Sequence, residues 1–267
     1  MLWRSGELRG YDIAASDGTI GTIDDLLFDE AHWSVRWLVV DTGGWLSGRR
    51  VLLPPDALGR PDGAEHRLPV KLTRAQVEAS PPLESDLPVS RQVEADIFAH
   101  YNWPPYWESD LGTPLSYLSS GGLAGGFLFP PDAVRVPAEP AAAGSKPGAE
   151  AARRGDPDLR SIRAITGDAI LASDGEIGHV EDFLIDEAGW HVRYMIVDTR
   201  NWLPGRKVLV APQWIRDIDW ADGRVSVGLS REQVRTGPEY DPNRPPERAY
   251  EKALHGHYGR EGYWGLF

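Results

Sequence analysis

The chain has 267 residues, with 28 Lys and Arg against 40 Asp and Glu, and a formal net charge of −12. That balance argues against a protein held to nucleic acid through phosphate contacts, which need a cationic face. Cysteine is absent, which excludes disulfides, thiolate metal sites, iron–sulfur clusters and cysteine nucleophiles.

The opening residues, Met1-Leu2-Trp3-Arg4-Ser5-Gly6-Glu7, lack the apolar stretch of a signal peptide. The longest apolar runs, such as Trp37-Leu38-Val39-Val40, are far below the roughly 20 residues of a spanning helix. No membrane span is therefore expected, and the expected compartment is the cytoplasm. A first strand is predicted around Tyr11–Ala15, with Asp17-Gly18 as a tight turn. Ile20–Phe28 alternates imperfectly, since Ile20, Asp24, Leu26 and Phe28 share one parity while Ile23 and Leu27 take the other. This predicts a bulge or a strand buried on both sides. After the polar turn Asp29–His32, the run Trp33–Asp41 places Trp33, Val35, Trp37 and Val39 on one face. Arg50–Leu53 and Leu68–Leu72 read as further strands. Thr73, followed three residues later by Gln76, reads as a capped helix start. A longer helix is predicted around Ser90–Tyr101, and its counterpart near Pro246–Tyr258. Between them, 114–136 mixes apolar residues with glycines and reads as an ordered excursion. Residues 137–158 are rich in Pro, Ala and Gly and read as a flexible linker.

The second half repeats the first at an offset of 157 positions. Ser16-Asp17-Gly18 returns as Ser173-Asp174-Gly175, Val40-Asp41-Thr42 as Val197-Asp198-Thr199, and Trp45-Leu46 as Trp202-Leu203. Residues 16–55 and 173–212 share 23 identities in 40 positions without a gap. The register continues through His100-Tyr101 and His257-Tyr258 to Tyr106-Trp107 and Tyr263-Trp264. Units of about 100 residues are domains rather than solenoid repeats. The predicted organisation is one unit at 1–107, a connecting segment at 108–158 and a second unit at 159–267. The predicted fold class is mainly β with short helices, as two small β-barrels with helical extensions.

Asp-Gly-x-Ile-Gly, an acidic-apolar strand, Trp-x-Val-Arg-aromatic-x-x-Val-Asp-Thr and Trp-Leu-x-Gly-Arg, present in both units, resemble the PRC-barrel domain. That domain is named for the cytoplasmic part of the photosynthetic reaction-centre H subunit, and the units are also similar to the C-terminal barrel of a bacterial ribosome-maturation factor. The resemblance covers roughly 8–80 and 165–237, and the helical Tyr-Trp extensions resemble those of bacterial tandem PRC-barrel proteins. It implies a noncatalytic assembly or adaptor module. It carries over no quinone-linked, ribosome-contacting or catalytic residue.

The acidic residues Asp24, Asp25, Asp29, Glu30 and Asp41, with Glu181, Asp182, Asp186, Glu187 and Asp198, read chiefly as turn caps, edge protection and solubilising charge; a cation site is the alternative. Of the histidines, only His100/His257 recurs, and no spacing marks a metal site. No Gly-x-Ser-x-Gly elbow or phosphate-binding loop is present. Neither an enzyme nor a cofactor or metal is expected. Arg36/Arg193 and Arg49/Arg206 recur, which suits salt bridging or anion binding. Eleven tryptophans are the unusual feature. Aromatics concentrate at interface hot spots, so the candidate interface residues are Trp33, Trp45, Trp103, Tyr106, Trp107, Trp190, Trp202, Tyr263 and Trp264; the competing reading packs each Tyr-Trp tail back on a barrel.

The expected function is a noncatalytic scaffold for protein–protein assembly, with an unidentified protein partner and with the repeats paired in one chain or in a homodimer. Direct nucleic-acid contact is not expected. Two alternatives remain: an RNA- or ribosome-associated factor, and a small-molecule-binding or catalytic protein that uses a cleft between the barrels.

Overall fold

The computed structural model describes residues 1–81, 91–101, 103, 158–199 and 205–265. The expected excursion and nearly all of the expected linker lie outside these residues. The elements in chain order are β1 (Leu2–Arg4), α1 (Ser5–Leu8), β2 (Asp12–Ala15), β3 (Gly18–Asp29), β4 (Ser34–Asp41), β5 (Arg50–Leu53), β6 (Arg67–Pro69), α2 (Arg74–Glu78) and α3 (Arg91–Tyr101). The second unit supplies β7 (Leu159–Ser161), α4 (Ile162–Ile165), β8 (Ala169–Ala172), β9 (Gly175–Asp186), β10 (Val192–Asp198), β11 (Lys207–Val210), β12 (Ile215–Asp219), β13 (Arg224–Val227), α5 (Arg231–Thr236) and α6 (Arg248–His257).

One sheet runs β5-β4-β3-β2-β6 and the other β11-β10-β9-β8-β13-β12. Strand pairs are antiparallel except β2 with β6 and β8 with β13, which are parallel. The strand order is the same in both units, with β12 as an addition to the second. At its counterpart in the first unit only the isolated bridges Leu58–Val70 and Asp62–Arg67 form. The strand expected at Leu68–Leu72 is therefore shorter: β6 stops at Pro69, which lacks the N–H that a continuing ladder needs.

The imperfect alternation of β3 is explained by bulges. Its pairing with β2 skips Ile20, and its pairing with β4 skips Asp24 on one strand and Arg36 on the other. The second unit skips Ile177, Glu181 and Arg193, the same three positions. Each bulge shifts the inward parity by one residue, so both parities of the strand supply core groups: Ile20, Ile23, Leu26, Leu27 and Phe28 are all buried. Both capping boxes form, with the Thr73 and Ser230 hydroxyls each accepting from the Gln N–H three residues on.

The repeats are tied by strand exchange. The first strand of each unit leaves its own sheet and adds to the other one. β1 pairs antiparallel with β9, Trp3 opposite Ile185, and β7 pairs antiparallel with β3, Arg160 opposite Phe28. A single apolar core runs through both units, including Leu8, Phe28, Val35, Ile162, Phe183, Trp190 and Val192. A smaller cluster gathers Leu27, Trp37, Val39 and Leu52 beneath Ile97 and Phe98 of α3.

Candidate interaction surface

The junction between the repeats is built from paired equivalents. Asp25 and Asp182 occupy the same repeat position, and both are buried. Asp182 Oδ1 accepts from the Ser5 hydroxyl at 2.5 Å and the Gly6 N–H at 2.9 Å, while Oδ2 accepts from Arg4 Nε at 3.1 Å. Asp25 Oδ1 accepts from the Arg163 N–H at 3.2 Å, and Oδ2 accepts from the Ser161 hydroxyl. Each carboxylate thus satisfies the open N–H groups at the start of α1 or α4, which belong to the other repeat. Glu30 N–H donates to the Asp158 carbonyl and Glu187 N–H to the Met1 carbonyl, again at equivalent positions.

The hairpin ends meet at a pseudo-two-fold axis. Ser34 and His191 are equivalent and form an antiparallel bridge. Val35 N–H donates to the Trp190 carbonyl at 2.7 Å and Val192 N–H to the Trp33 carbonyl at 2.8 Å. Trp33 and Trp190 have φ of 53° and 54°, a left-handed conformation that bulky residues seldom adopt. The reciprocal hydrogen bonds at this bridge offset that strain in both copies. Beside it, Arg36 Nη2 reaches Asp29 Oδ2 at 2.9 Å and Arg193 Nε reaches Asp186 Oδ2 at 2.5 Å. Burial alone would raise Asp29; the Arg36 hydrogen bonds and the His32 N–H hold its carboxyl below the usual range instead. Burial lowers the His191 imidazole, and Arg193 lowers it further, against the attraction of Asp186.

Over the outer face of each sheet lies a helix whose glutamate meets a core aromatic. Trp37 Nε1 donates to Glu94 Oε1 at 2.6 Å. In the second unit Tyr194, Glu251 and His255 take the places of Trp37, Glu94 and Phe98. Tyr194 OH donates to Glu251 Oε1 at 3.1 Å and stands 3.0 Å from His255 Nε2, while His255 Nδ1 donates to the Glu261 carbonyl at 2.9 Å. Tyr263 OH donates to Glu251 Oε1 at 2.9 Å, and Arg248 Nη1 sits 3.0 Å from Glu251 Oε2. Burial lowers the His255 imidazole, opposed by its bond to the Glu261 carbonyl and aided by Arg248. Burial and Glu251 push the Tyr263 phenol up to about 12.

Six of the nine candidate aromatics fall among the described residues, and each packs within the chain. Trp33 stacks on Phe28 at 5.0 Å, Trp103 stacks on Tyr101 at 4.6 Å, and Trp190 is buried. Trp45 carries Arg74 over its ring at 4.4 Å. Tyr263 and Trp264 meet edge-to-face at 5.1 Å over the second barrel. Tyr106, Trp107 and Trp202 lie outside the described residues. Met1 is the one large hydrophobic side chain exposed among those described.

The acidic residues are distributed over separate structural tasks. Asp29 Oδ1 accepts from the Ala31 and His32 N–H groups, and Asp186 Oδ1 from those of Ala188 and Gly189. Asp24 meets Arg163 and Arg50, Glu30 meets Arg160, and Glu181 meets Lys207. Among the described residues no three His, Asp or Glu side chains converge on a point where a metal could sit. Arg49 donates to the Glu78 and Ser80 carbonyls, and Arg206 to those of Arg235 and Gly237. His100 and His257 each donate to a carbonyl at the preceding helix, Gln76 and Gln233 respectively, at 3.0 Å. The groups that sequence reasoning passed over are Ser5, Glu94 and Glu251. The repeated Glu94/Glu251 identity inside an otherwise apolar helix face was the available signal.

No curated protein matches the chain. The family model of the PRC-barrel domain matches residues 4–77. That span runs from the last residue of β1 through β2–β6 to α2, and the same elements recur 157 residues later in the same strand order. Residues 4–77 match the PRC-barrel domain, and the chain joins to them a second unit with the same strand order.

Proposed function

We propose that the protein is a noncatalytic scaffold that presents two locked barrels to a protein partner in the cytoplasm. The observation that carries this reading is the use made of the buried ionisable groups. Asp25, Asp182, Glu251 and His255 are each hydrogen-bonded to groups that hold repeat to repeat or helix to barrel. Side chains spent on internal satisfaction make a rigid body and leave recognition to the surface. A cleft between the barrels finds less support, because Phe28 and Phe183 from opposite units approach to 6.3 Å within one continuous apolar core. Among the described residues no helix is long and apolar enough to cross a membrane.

The test is an affinity pull-down of the full chain from native lysate after mild crosslinking, with and without nuclease, read by mass spectrometry. A defined protein recovered equally in both arms supports the scaffold. Ribosomal or RNA-linked partners lost on nuclease treatment favour the RNA-associated alternative, and a chain recovered alone counts against both.

A further inference from the structure

The end of the described chain is seated in a socket on its own barrel. Two guanidinium groups lie over the Tyr263 ring, Arg193 4.2 Å and Arg248 5.0 Å from its centroid. Its hydroxyl donates to Glu251, a carboxylate only 3% exposed. Arg248 also covers the Trp264 ring at 4.5 Å, and Trp264 meets the His255 ring edge-on at 5.0 Å. Just upstream, the Glu261 carbonyl accepts from Gln213 Nε2 at 2.8 Å and from His255 Nδ1 at 2.9 Å. Glycine is required between them: a Cβ on Gly262 would fall 2.3 Å from the Trp264 indole, which folds back over the backbone there.

These contacts read a particular ligand. Two cations over a ring select an aromatic, a buried carboxylate selects a hydroxyl on that ring, and an edge-on imidazole with a second guanidinium face selects a neighbouring indole. The residues that make the socket come from β10, α6 and the turn Pro212–Trp214, and α6 is also anchored by the buried Leu254. Residues 261–264 add no strand to the sheet, so their departure would break no ladder hydrogen bond. Gly-Tyr-Trp is thus both the chain's own plug and a description of what fits. Tyr-Trp also recurs in the sequence at 106–107.

We propose that this socket is a recognition site for a Gly-Tyr-Trp segment of a partner protein, and that residues 262–264 occupy it as a displaceable plug. The proposal deepens the scaffold reading by naming the kind of segment the scaffold takes, and it rests on that reading. It is tested in purified components, so its result is separate from whether a lysate partner is found.

The probe is a synthetic peptide of residues 259–265, titrated calorimetrically into the full-length protein and into Tyr263→Ala/Trp264→Ala. A site held by its own plug has its apparent affinity reduced by the fraction of time it is open. The vacated variant is therefore expected to bind the peptide at least about tenfold more tightly than the unaltered protein. Adding Glu251→Gln to the vacated variant is expected to weaken the peptide, and a peptide with Phe in place of Tyr263 is expected to bind more weakly than the parent. Equal affinity for the plugged and vacated proteins overturns the proposal, as does no binding to a vacated variant that still unfolds cooperatively. If the double variant does not fold, Trp264→Ala alone supplies the reading: affinity above that of the unaltered protein supports displacement, and unchanged affinity overturns it.

Discussion

Asp25 and Asp182 stand 157 positions apart and perform one task in opposite directions, each closing the first helical turn of the other repeat. Such a buried carboxylate is held by several donors at once, and those donors lose their acceptor if it is removed. Asp182→Ala is expected to cost about 2–4 kcal/mol, and Asp25→Ala about the same. Urea unfolding followed by tryptophan fluorescence measures both. Because the two sites share one junction, the double variant is expected to lose less than the sum of the singles.

Gly21 and Gly178 carry the Ile-Gly of the repeated motif. A Cβ at either would fall 2.0 Å from a backbone carbonyl, of Asp41 or of Asp198, and Gly178 also has φ of +143°. Gly178→Ala is expected to cost about 3 kcal/mol or more. Gly256, inside α6 with nothing near its missing Cβ, provides the control. Gly256→Ala is expected to stabilise by about 0.5–1 kcal/mol. Thermal unfolding of the two variants is expected to move the midpoint in opposite directions.

The core aromatics beneath the helices differ between the repeats, yet each donates to the buried glutamate of its helix. Trp37→Phe removes the 2.6 Å indole bond to the fully buried Glu94. Tyr194→Phe removes the 3.1 Å bond from the Tyr194 hydroxyl to Glu251, which also meets Tyr263 and Arg248. Each substitution is expected to cost about 1–3 kcal/mol by chemical denaturation.

Acid is expected to weaken the fold in a defined window. The folded-state pKa of His191 and His255 lies below the ordinary 6.5 for both. The unfolded chain then takes up protons first as the pH falls, so stability drops below about pH 6.5 and the loss from these groups is complete once the folded imidazoles also titrate. His191→Ser and His255→Phe put in each place the residue of the other repeat, Ser34 and Phe98. The double variant is expected to show a flatter dependence of the urea midpoint between pH 7.5 and 5.5 than the parent. An unchanged slope would remove both histidines from the account.

The barrels were legible in the sequence because local signals agreed with the tertiary fold. Ser16-Asp17-Gly18 marks a turn, Thr73 and Gln76 mark a cap, and the parity break in Ile20–Phe28 corresponds to the bulges at Ile20 and Asp24. The strand exchange was not legible. Leu2–Arg4 and Leu159–Ser161 are three residues each, too short to show a period, and their partners lie more than a hundred positions away. Asp25 looked like one member of an acidic cluster because its parity is only reversed by the bulge beside it. The candidate aromatics were chosen for residue type, which does not distinguish an indole that faces a partner from one that fills its own barrel. Trp33 and Trp190 show the difficulty: their rings pack in the chain's own core while their backbone carbonyls accept across the junction.

The reciprocal junction within one chain is the central claim, and the absence of cysteine makes it directly testable. Ser34 and His191 face each other in an antiparallel bridge flanked by the Val35–Trp190 and Val192–Trp33 hydrogen bonds. In a pair of this type the Cα atoms are about 4.5 Å apart, within the range a disulfide spans. Ser34→Cys/His191→Cys, oxidised mildly at low protein concentration, is expected to give a monomer with an internal disulfide that migrates faster on a non-reducing gel. Free thiols after oxidation, or a product linked only between chains, would contradict the junction.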